Sequence, residues 1–422
     1  MLAIGLGVFA LVGGARLLLA WLNLRHHQLH GQEVPPELAG EIDAEQLAKI
    51  NAYTIERLRF GLVRSGLGQL LIVAFLFGGL LGWYDAWIAG WALSPVWSGV
   101  AFFSGLSLLA AALEVPFDLW GDFRVEARHG FNRKTAGLWW SDWLKSTLLA
   151  VFFTALLSVG ALAVVQAAPQ LWWLWVSALT AVLGLSLTFL SPYLIEPLFF
   201  RMQTLRVEGL EASVRSLTQR AGVEVSRVLT VDASRRSSHS NAYFTGLGRV
   251  KRVVLFDTLL AQMSHPQVLA ILAHELGHWK KRHILSRMLV MQLLTVFTLY
   301  LMFRLVPQSW VTELVGLGPA SFPARVLVLL LLGSCCAFPL TPLFSLWSRQ
   351  HEREADSFAV KLHGDPADLA DALSKLGREN LSSLHPHPLY AVFYYSHPPL
   401  ASRIRGLRAL ALTAPQPVGV VH

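Results

Sequence analysis

Residues 271–283 read ILAHELGHWKKRH, and three of them are spaced for hydrolytic chemistry. Residues four apart share one face of a helix, so His274 and His278 can reach a single metal ion. Glu275 projects beside them, placed to polarise a water rather than to ligate. An amphipathic helix that carries two satisfied surface histidines would look the same over this stretch alone. A catalytic zinc needs a third protein ligand and one open position. A third His six residues after His278 is excluded, because position 284 is Ile. His283 falls five residues after His278, about 140° round an unbroken helix, and is poorly placed as a ligand. The better candidate lies in SRQHEREADSFAV, where Glu352 and Asp356 are four apart on a second helix. Glu352 would ligate, and Asp356 would hold a ligating imidazole from behind. The competing reading there is a solvated charged face, since Arg349, Arg353 and Glu354 share the stretch.

The elements that must position these groups are unusually apolar. Of 422 residues, 54% are hydrophobic and 15% charged, well short of the quarter charged that a soluble domain carries. Fifteen Trp and 23 Phe add the aromatic bias of membrane interfaces. The fold class expected is mainly α: a polytopic membrane protein with a zincin-like catalytic domain holding a small β-sheet. The net charge of +8 fits Lys and Arg gathered on cytoplasmic loops, and no nucleic-acid-binding signature accompanies it. The two cysteines, Cys335 and Cys336, are adjacent in an apolar run and read as small packing residues, not a disulfide. The N-terminal run has no basic leader and continues past Arg16, so a retained membrane helix is expected rather than a signal peptide. Arg16 in that span either faces protein interior or snorkels.

A bilayer core of about 30 Å takes about 20 apolar residues in a helix. That rule gives seven spans, near 3–23, 63–84, 96–115, 146–167, 171–195, 285–306 and 324–347. The connections near 85–95, 168–170 and 307–323 contain no Lys or Arg, whereas 24–62, 116–145, 196–284 and the tail after 348 are basic. Such alternation requires an odd number of spans with the N-terminus outside and the basic loops cytoplasmic. A reporter fused after His422 is therefore expected to read cytoplasmic; a periplasmic signal would overturn this topology. The chain divides into an N-terminal membrane region with five spans (1–195), a first catalytic part with the motif helix (196–284), spans six and seven (285–347), and a second catalytic part with the third ligand (348–422). In 196–284, LRVEGLEASVRSLTQRAG has helical periodicity and stops at Gly222. SRVLTVD, NAYFTG and VKRVVLFD read as short strands, with Gly246 and Gly248 at a hairpin turn. The motif helix opens at Ser264-His265-Pro266, a cap residue followed by an early Pro.

The chain resembles the Ste24-type CAAX prenyl proteases, membrane zinc peptidases of family M48. His274-Glu275-x-x-His278 is followed by Glu352-Arg353-Glu354-Ala355-Asp356 in that family's order. HGFNRKT at 129–135, IEPLF at 195–199, SSHSNAYFTG at 237–246 and YYSHPPLASRI at 394–404 also read as family segments. The resemblance implies one Zn2+ per chain, held by His274, His278 and Glu352, with Glu275 as base and Asp356 behind a ligand His. It further implies that Asn241 and His397 hold the substrate backbone and that Arg403 faces a peptide carboxylate. Blander roles compete: Asn241 starting a strand, His397 capping a helix, Arg403 as a surface cation. The function implied is endoproteolysis near the C-terminus of hydrophobic or lipid-modified, CAAX-like peptides at the bilayer. The short Ala-, Leu- and Arg-rich form reads as bacterial, which places it in the inner membrane with the catalytic domain facing the cytoplasm. The alternatives are an HtpX-like quality-control protease, a site-2-type intramembrane protease and a non-enzymatic scaffold with a zinc site. Lys280, Lys281 and Arg282 disfavour the site-2 type, because charges at mid-bilayer are expensive. A scaffold would close all four zinc positions.

Overall fold

The computed structural model describes residues 1–247 and 250–413. Seven helices in it are long and apolar enough to cross a membrane: Leu2–His30, Ala44–Phe77, Pro95–Glu126, Ala136–Ala167, Trp172–Phe199, His283–Leu305 and Phe322–His363. Their outward faces carry exposed Leu, Phe and Trp, such as Leu11, Leu70, Phe152 and Trp175. Water would not tolerate that surface, whereas hydrocarbon does, and the helical backbone leaves no polar group unpaired in lipid.

Most of the expected span boundaries change. The second span is not 63–84: its helix starts at Ala44, capped by Asp43 accepting from the Gln46 N–H, and ends at Phe77. Gly79, at φ +82°, breaks it, and Leu80–Ala89 is a separate short helix. The supposed loops at 24–62 and 116–145 are mostly helix, because the first four spans run well past their apolar cores. At 1.5 Å per residue the 34-residue helix Ala44–Phe77 is about 51 Å long, far more than the ~30 Å of hydrocarbon. Hydropathy sees only the part in lipid. The last span is kinked by a 3-10 turn at Phe338–Leu340, beside Pro339 and Pro342, and continues as Thr341–His363.

A single π-turn, Gly121–Glu126, lies at the end of the third long helix. It presents Asp122 to the Lys134 ammonium (2.7 Å) and the Trp139 indole N–H (3.0 Å). It also presents Glu126 to the Tyr53 hydroxyl (2.7 Å) and to His239 Nε2 (3.3 Å). The HGFNRKT segment then runs beside residues 236–238. Arg133 N–H donates to Arg236 O, Ser238 N–H donates to Phe131 O, and the Phe131 ring stacks on His239 at 4.0 Å. The membrane region is thereby fastened to the strand that flanks the site.

Four strands form one mixed sheet: β1 (Met202–Thr204), β2 (Arg227–Val231), β3 (Ala242–Leu247) and β4 (Val250–Phe256), in the order β1-β2-β4-β3. β2 and β4 are parallel; both outer pairs are antiparallel. β4 is the centre of the polar part's core, with Val253, Val254 and Leu255 fully buried, and β3 is left as an edge. Gly246 sits in β3 at φ +106°, while the turn expected at Gly248 lies outside the described residues. The helix Leu210–Arg220 ends just before Gly222, at φ +66°, as its sequence predicts.

Candidate metal centre

The motif helix His265–Lys280 begins with a capping box: the Ser264 side chain accepts from the Gln267 N–H, and the Gln267 side chain accepts from the Ser264 N–H. Its inner face packs Val268, Leu272 and Leu276 against the core and turns His274 toward the helix Thr341–His363. The two helices cross closely at Gly277. A Cβ there would stand 2.8 Å from Ala355 Cα and 3.0 Å from Ala355 O, so any larger residue would push the two ligand-bearing helices apart.

At the crossing, His274, His278 and Glu352 each offer one ligand atom, and all of these lie within 4.8 Å of one another. His274 Nε2 and His278 Nε2 are 3.2 Å apart. Glu352 Oε2 is 3.4 Å from the first, and Oε1 is 3.3 Å from the second. Glu352 is almost wholly buried, yet its Oε2 receives no well-directed hydrogen bond although cationic and imidazole groups surround it. Two imidazole nitrogens and a carboxylate oxygen facing one point, with an unsatisfied oxygen among them, fit a divalent zinc-type ion of the three-ligand catalytic kind.

Each imidazole is also held from behind. Asp356 Oδ1 lies 2.8 Å from His274 Nδ1, which turns Nε2 toward the ion position. Burial opposes a charge on His274, but the neighbouring carboxylates of Asp356 and Glu352 outweigh it and push its pKa up to about 9. His278 Nδ1 lies 3.1 Å from His283 Nδ1, and His283 Nε2 is 3.1 Å from Glu354 Oε2. His283 also stacks on His351 at 4.0 Å. The spacing arithmetic missed this pair of orienting residues because it assumed an unbroken helix. The helix stops at Lys280, and Arg282 at φ +58° swings His283 back behind His278. The only sequence signal was the run of charged residues that ends the helix.

Glu275 sits beside both imidazoles, and burial pushes its carboxyl up from the ordinary range, against the pull of His274 and His278. His397, whose side chain is 60% exposed, brings Nδ1 to 2.7 Å from Glu352 Oε2. Asn241 stands exposed at the start of β3, its side-chain oxygen accepting from the Ala242 N–H. The Arg403 guanidinium is buried, with Nη2 and Nε donating to Asp356 at 2.6 and 3.0 Å. Nη1 reaches to 3.8 Å from Glu352 Oε2. Burial alone would lower its pKa, but Asp356 holds it raised, so the cation is permanent and orients Asp356.

Seven apolar helices, the last of which carries Glu352, together with His274 and His278 on the motif helix packed against it, are the parts of an integral-membrane metalloendopeptidase. The comparisons with known proteins sharpen that class. Residues 23–201 match the family described as "CAAX prenyl protease N-terminal, five membrane helices", and residues 204–411 match "Peptidase family M48". The chain is 34% identical to a CAAX prenyl protease 1 homolog of Arabidopsis thaliana, over 89% of this chain and 90% of the relative. It is 33% identical to CAAX prenyl protease 1 of Saccharomyces cerevisiae, over 92% and 91%. The crystal structure of S. mikatae Ste24p superposes with a TM-score of 0.88 at 29% identity, covering 95% of this chain and 98% of that one. The chain belongs to the Ste24-type CAAX prenyl proteases of family M48.

Proposed function

We propose that this chain is a zinc endopeptidase that cuts hydrophobic or lipid-modified, CAAX-like peptides near their C-terminus at the membrane surface. The observation that carries the reading is the convergence of His274, His278 and Glu352 where apolar helices meet the polar core. A peptide whose lipid or apolar tail stays in the bilayer can present its backbone there. Edge strand β3 offers unpaired main-chain groups to an extended peptide, and Asn241 at its start would fix the peptide backbone. Zinc, held by His274, His278 and Glu352, would supply a water acidified to a pKa of about 7 and a polarised scissile carbonyl. Glu275 takes the proton of the attacking water and passes it to the leaving amine; its raised basicity suits that task. His397 is exposed, with Nδ1 2.7 Å from Glu352 Oε2, so it can turn and donate to the developing oxyanion. Asp356 and Arg403 keep His274 in the tautomer whose Nε2 is free.

The placement of charge supports a catalytic domain built from 196–284 and 348–422 and facing the cytoplasm, with 285–347 returning through the membrane between them. The relatives named above are eukaryotic, so the bacterial inner membrane rests on composition alone. The decisive assay offers the purified chain a farnesylated CAAX-type peptide, with and without a zinc chelator. Cleavage that disappears on chelation and returns with Zn2+ is expected. A zinc-loaded protein that leaves the peptide intact would refute the substrate class.

A further inference from the structure

A second group of imidazoles lies away from the metal centre, at the polar end of the first helix. The sequence there, NLRHHQLHGQE at 23–33, leaves the apolar run and puts Asn23, His26 and His30 on one stripe, since i, i+3 and i+4 positions share a face. The segment 383–387 lies along this end of the helix. Asn23, buried, accepts the His387 N–H at 2.9 Å, Ser383 Oγ lies 2.9 Å from His27 Nε2, and His385 Nε2 lies 2.6 Å from Glu33 O. These contacts bring the His387 ring against His26, with ring centres 5.4 Å apart, while His26 and His30 are 4.5 Å apart. In the metal centre, the ring centres of His274 and His278 are 4.9 Å apart, so the same spacing recurs.

Two further features point to a ligand. His387 Nδ1 is buried and has no hydrogen-bond partner. A buried nitrogen without a partner costs free energy that an ion would recover. Among the described residues no hydrogen bond ties the His26 ring, and His30 has only Glu33 Oε1 at 3.8 Å. Ligation requires both rings to turn about χ2 toward His387, because the nitrogens do not converge as those of His274 and His278 do. We propose that His26, His30 and His387 form a second site for a divalent transition metal of the imidazole-binding class, with the Glu33 carboxylate in reach as a further donor. Imidazole donors of this kind suit Zn2+, Cu2+ and Ni2+ over Mg2+ or Ca2+.

The site has a structural consequence. His387 immediately precedes the helix Pro388–Tyr394, which leads to His397. Arg349, three residues before Glu352, donates to Ala391 O and Tyr395 O at 3.0 and 2.8 Å and ties that helix to the ligand helix. A metal on His387 fastens the same element to the first membrane helix from its other end.

The test uses the full chain without a polyhistidine tag, dialysed against buffered free Zn2+ and read by metal content. The native chain is expected to take up two equivalents, the second more weakly. His26→Ala and His387→Ala should keep one equivalent and peptide hydrolysis, and should bind the second at least about tenfold more weakly. Backbone hydrogen exchange over 388–395 should slow when the second equivalent binds, and should not respond in His26→Ala. His30→Asn, at a half-exposed position, gives the same reading should His387→Ala fail to fold. A native chain that stops at one equivalent up to about 100 µM free Zn2+, or His26 and His30 variants that still take up two, would overturn the site.

Discussion

Glu275→Gln is expected to leave zinc content unchanged and to lower peptide hydrolysis by about 10²–10⁴-fold, the usual contribution of a positioned acid–base group. The two halves of that result come from different parts of the geometry. Zinc content is set by His274, His278 and Glu352, whose ligand atoms converge without Glu275. The replacement keeps the shape of the side chain and removes a carboxylate whose ionisation burial opposes, so the helix crossing has no reason to loosen. What is lost is, among the described residues, the one carboxylate beside His274 and His278 not already engaged: Asp356 is taken by His274 and Arg403, and Glu352 faces the ion position. The loss should fall on kcat with KM little changed, since a proton acceptor acts in the transition state rather than in binding. At 1.36 kcal/mol per factor of ten, a thousandfold loss is about 4 kcal/mol of barrier. Quantifying metal by mass spectrometry beside single-turnover cleavage separates the two halves. A variant that remains active, or one that loses its zinc, would remove Glu275 from the role of base.

The parts of this molecule that were legible in its sequence are those where a local pattern maps onto a local structure. The His274–His278 spacing lies on a helix that is helical throughout, and the Ser264 box at its start is formed as the residue types dictate. Apolar runs located all seven membrane helices, because lipid imposes a composition that needs no tertiary knowledge. Their ends were not legible, since a helix such as Ala44–Phe77 continues into polar sequence, where composition no longer distinguishes it from a loop. The environment of Arg403 was hidden for a different reason. Its partner Asp356 is 47 residues away, and only the packed fold decides whether a guanidinium meets a substrate or a buried carboxylate. His283 lies outside the ligand group, as its spacing predicts, but its place behind His278 was hidden: one residue in the left-handed region, Arg282, turns the chain back after the helix ends. Asn241 and His397 carried no signal of their own and entered through family resemblance, one at a strand start and the other in a Pro-flanked loop.

Glu352→Ala is expected to abolish zinc retention through purification, whereas Asp356→Asn and His283→Gln should each weaken zinc by only about 10–100-fold, the range for groups that orient a ligand. The ranking follows from what each side chain touches. Glu352 supplies the anionic donor of the ligand group, with one oxygen 3.3 Å from His278 Nε2 and the other 3.4 Å from His274 Nε2. Without it, two imidazoles remain, and the Arg403 guanidinium 3.8 Å from the lost oxygen turns from a partner of the carboxylate into a repeller of the ion. Asp356 and His283 act one bond further out, through the Nδ1 atoms of His274 and His278, so their loss blurs the direction of a ligand without deleting it. Arg403→Met tests the sign of the electrostatics. In the native background it should weaken zinc by releasing Asp356, but added to Glu352→Ala it should restore part of the affinity, because the uncompensated cation is then gone. Competition with a chromophoric chelator measures all five proteins on one scale. A Glu352→Ala variant that binds zinc as tightly as Asp356→Asn would show that Glu352 is not a ligand, and an Arg403→Met change that weakens zinc equally in both backgrounds would show that its charge does not reach the ion.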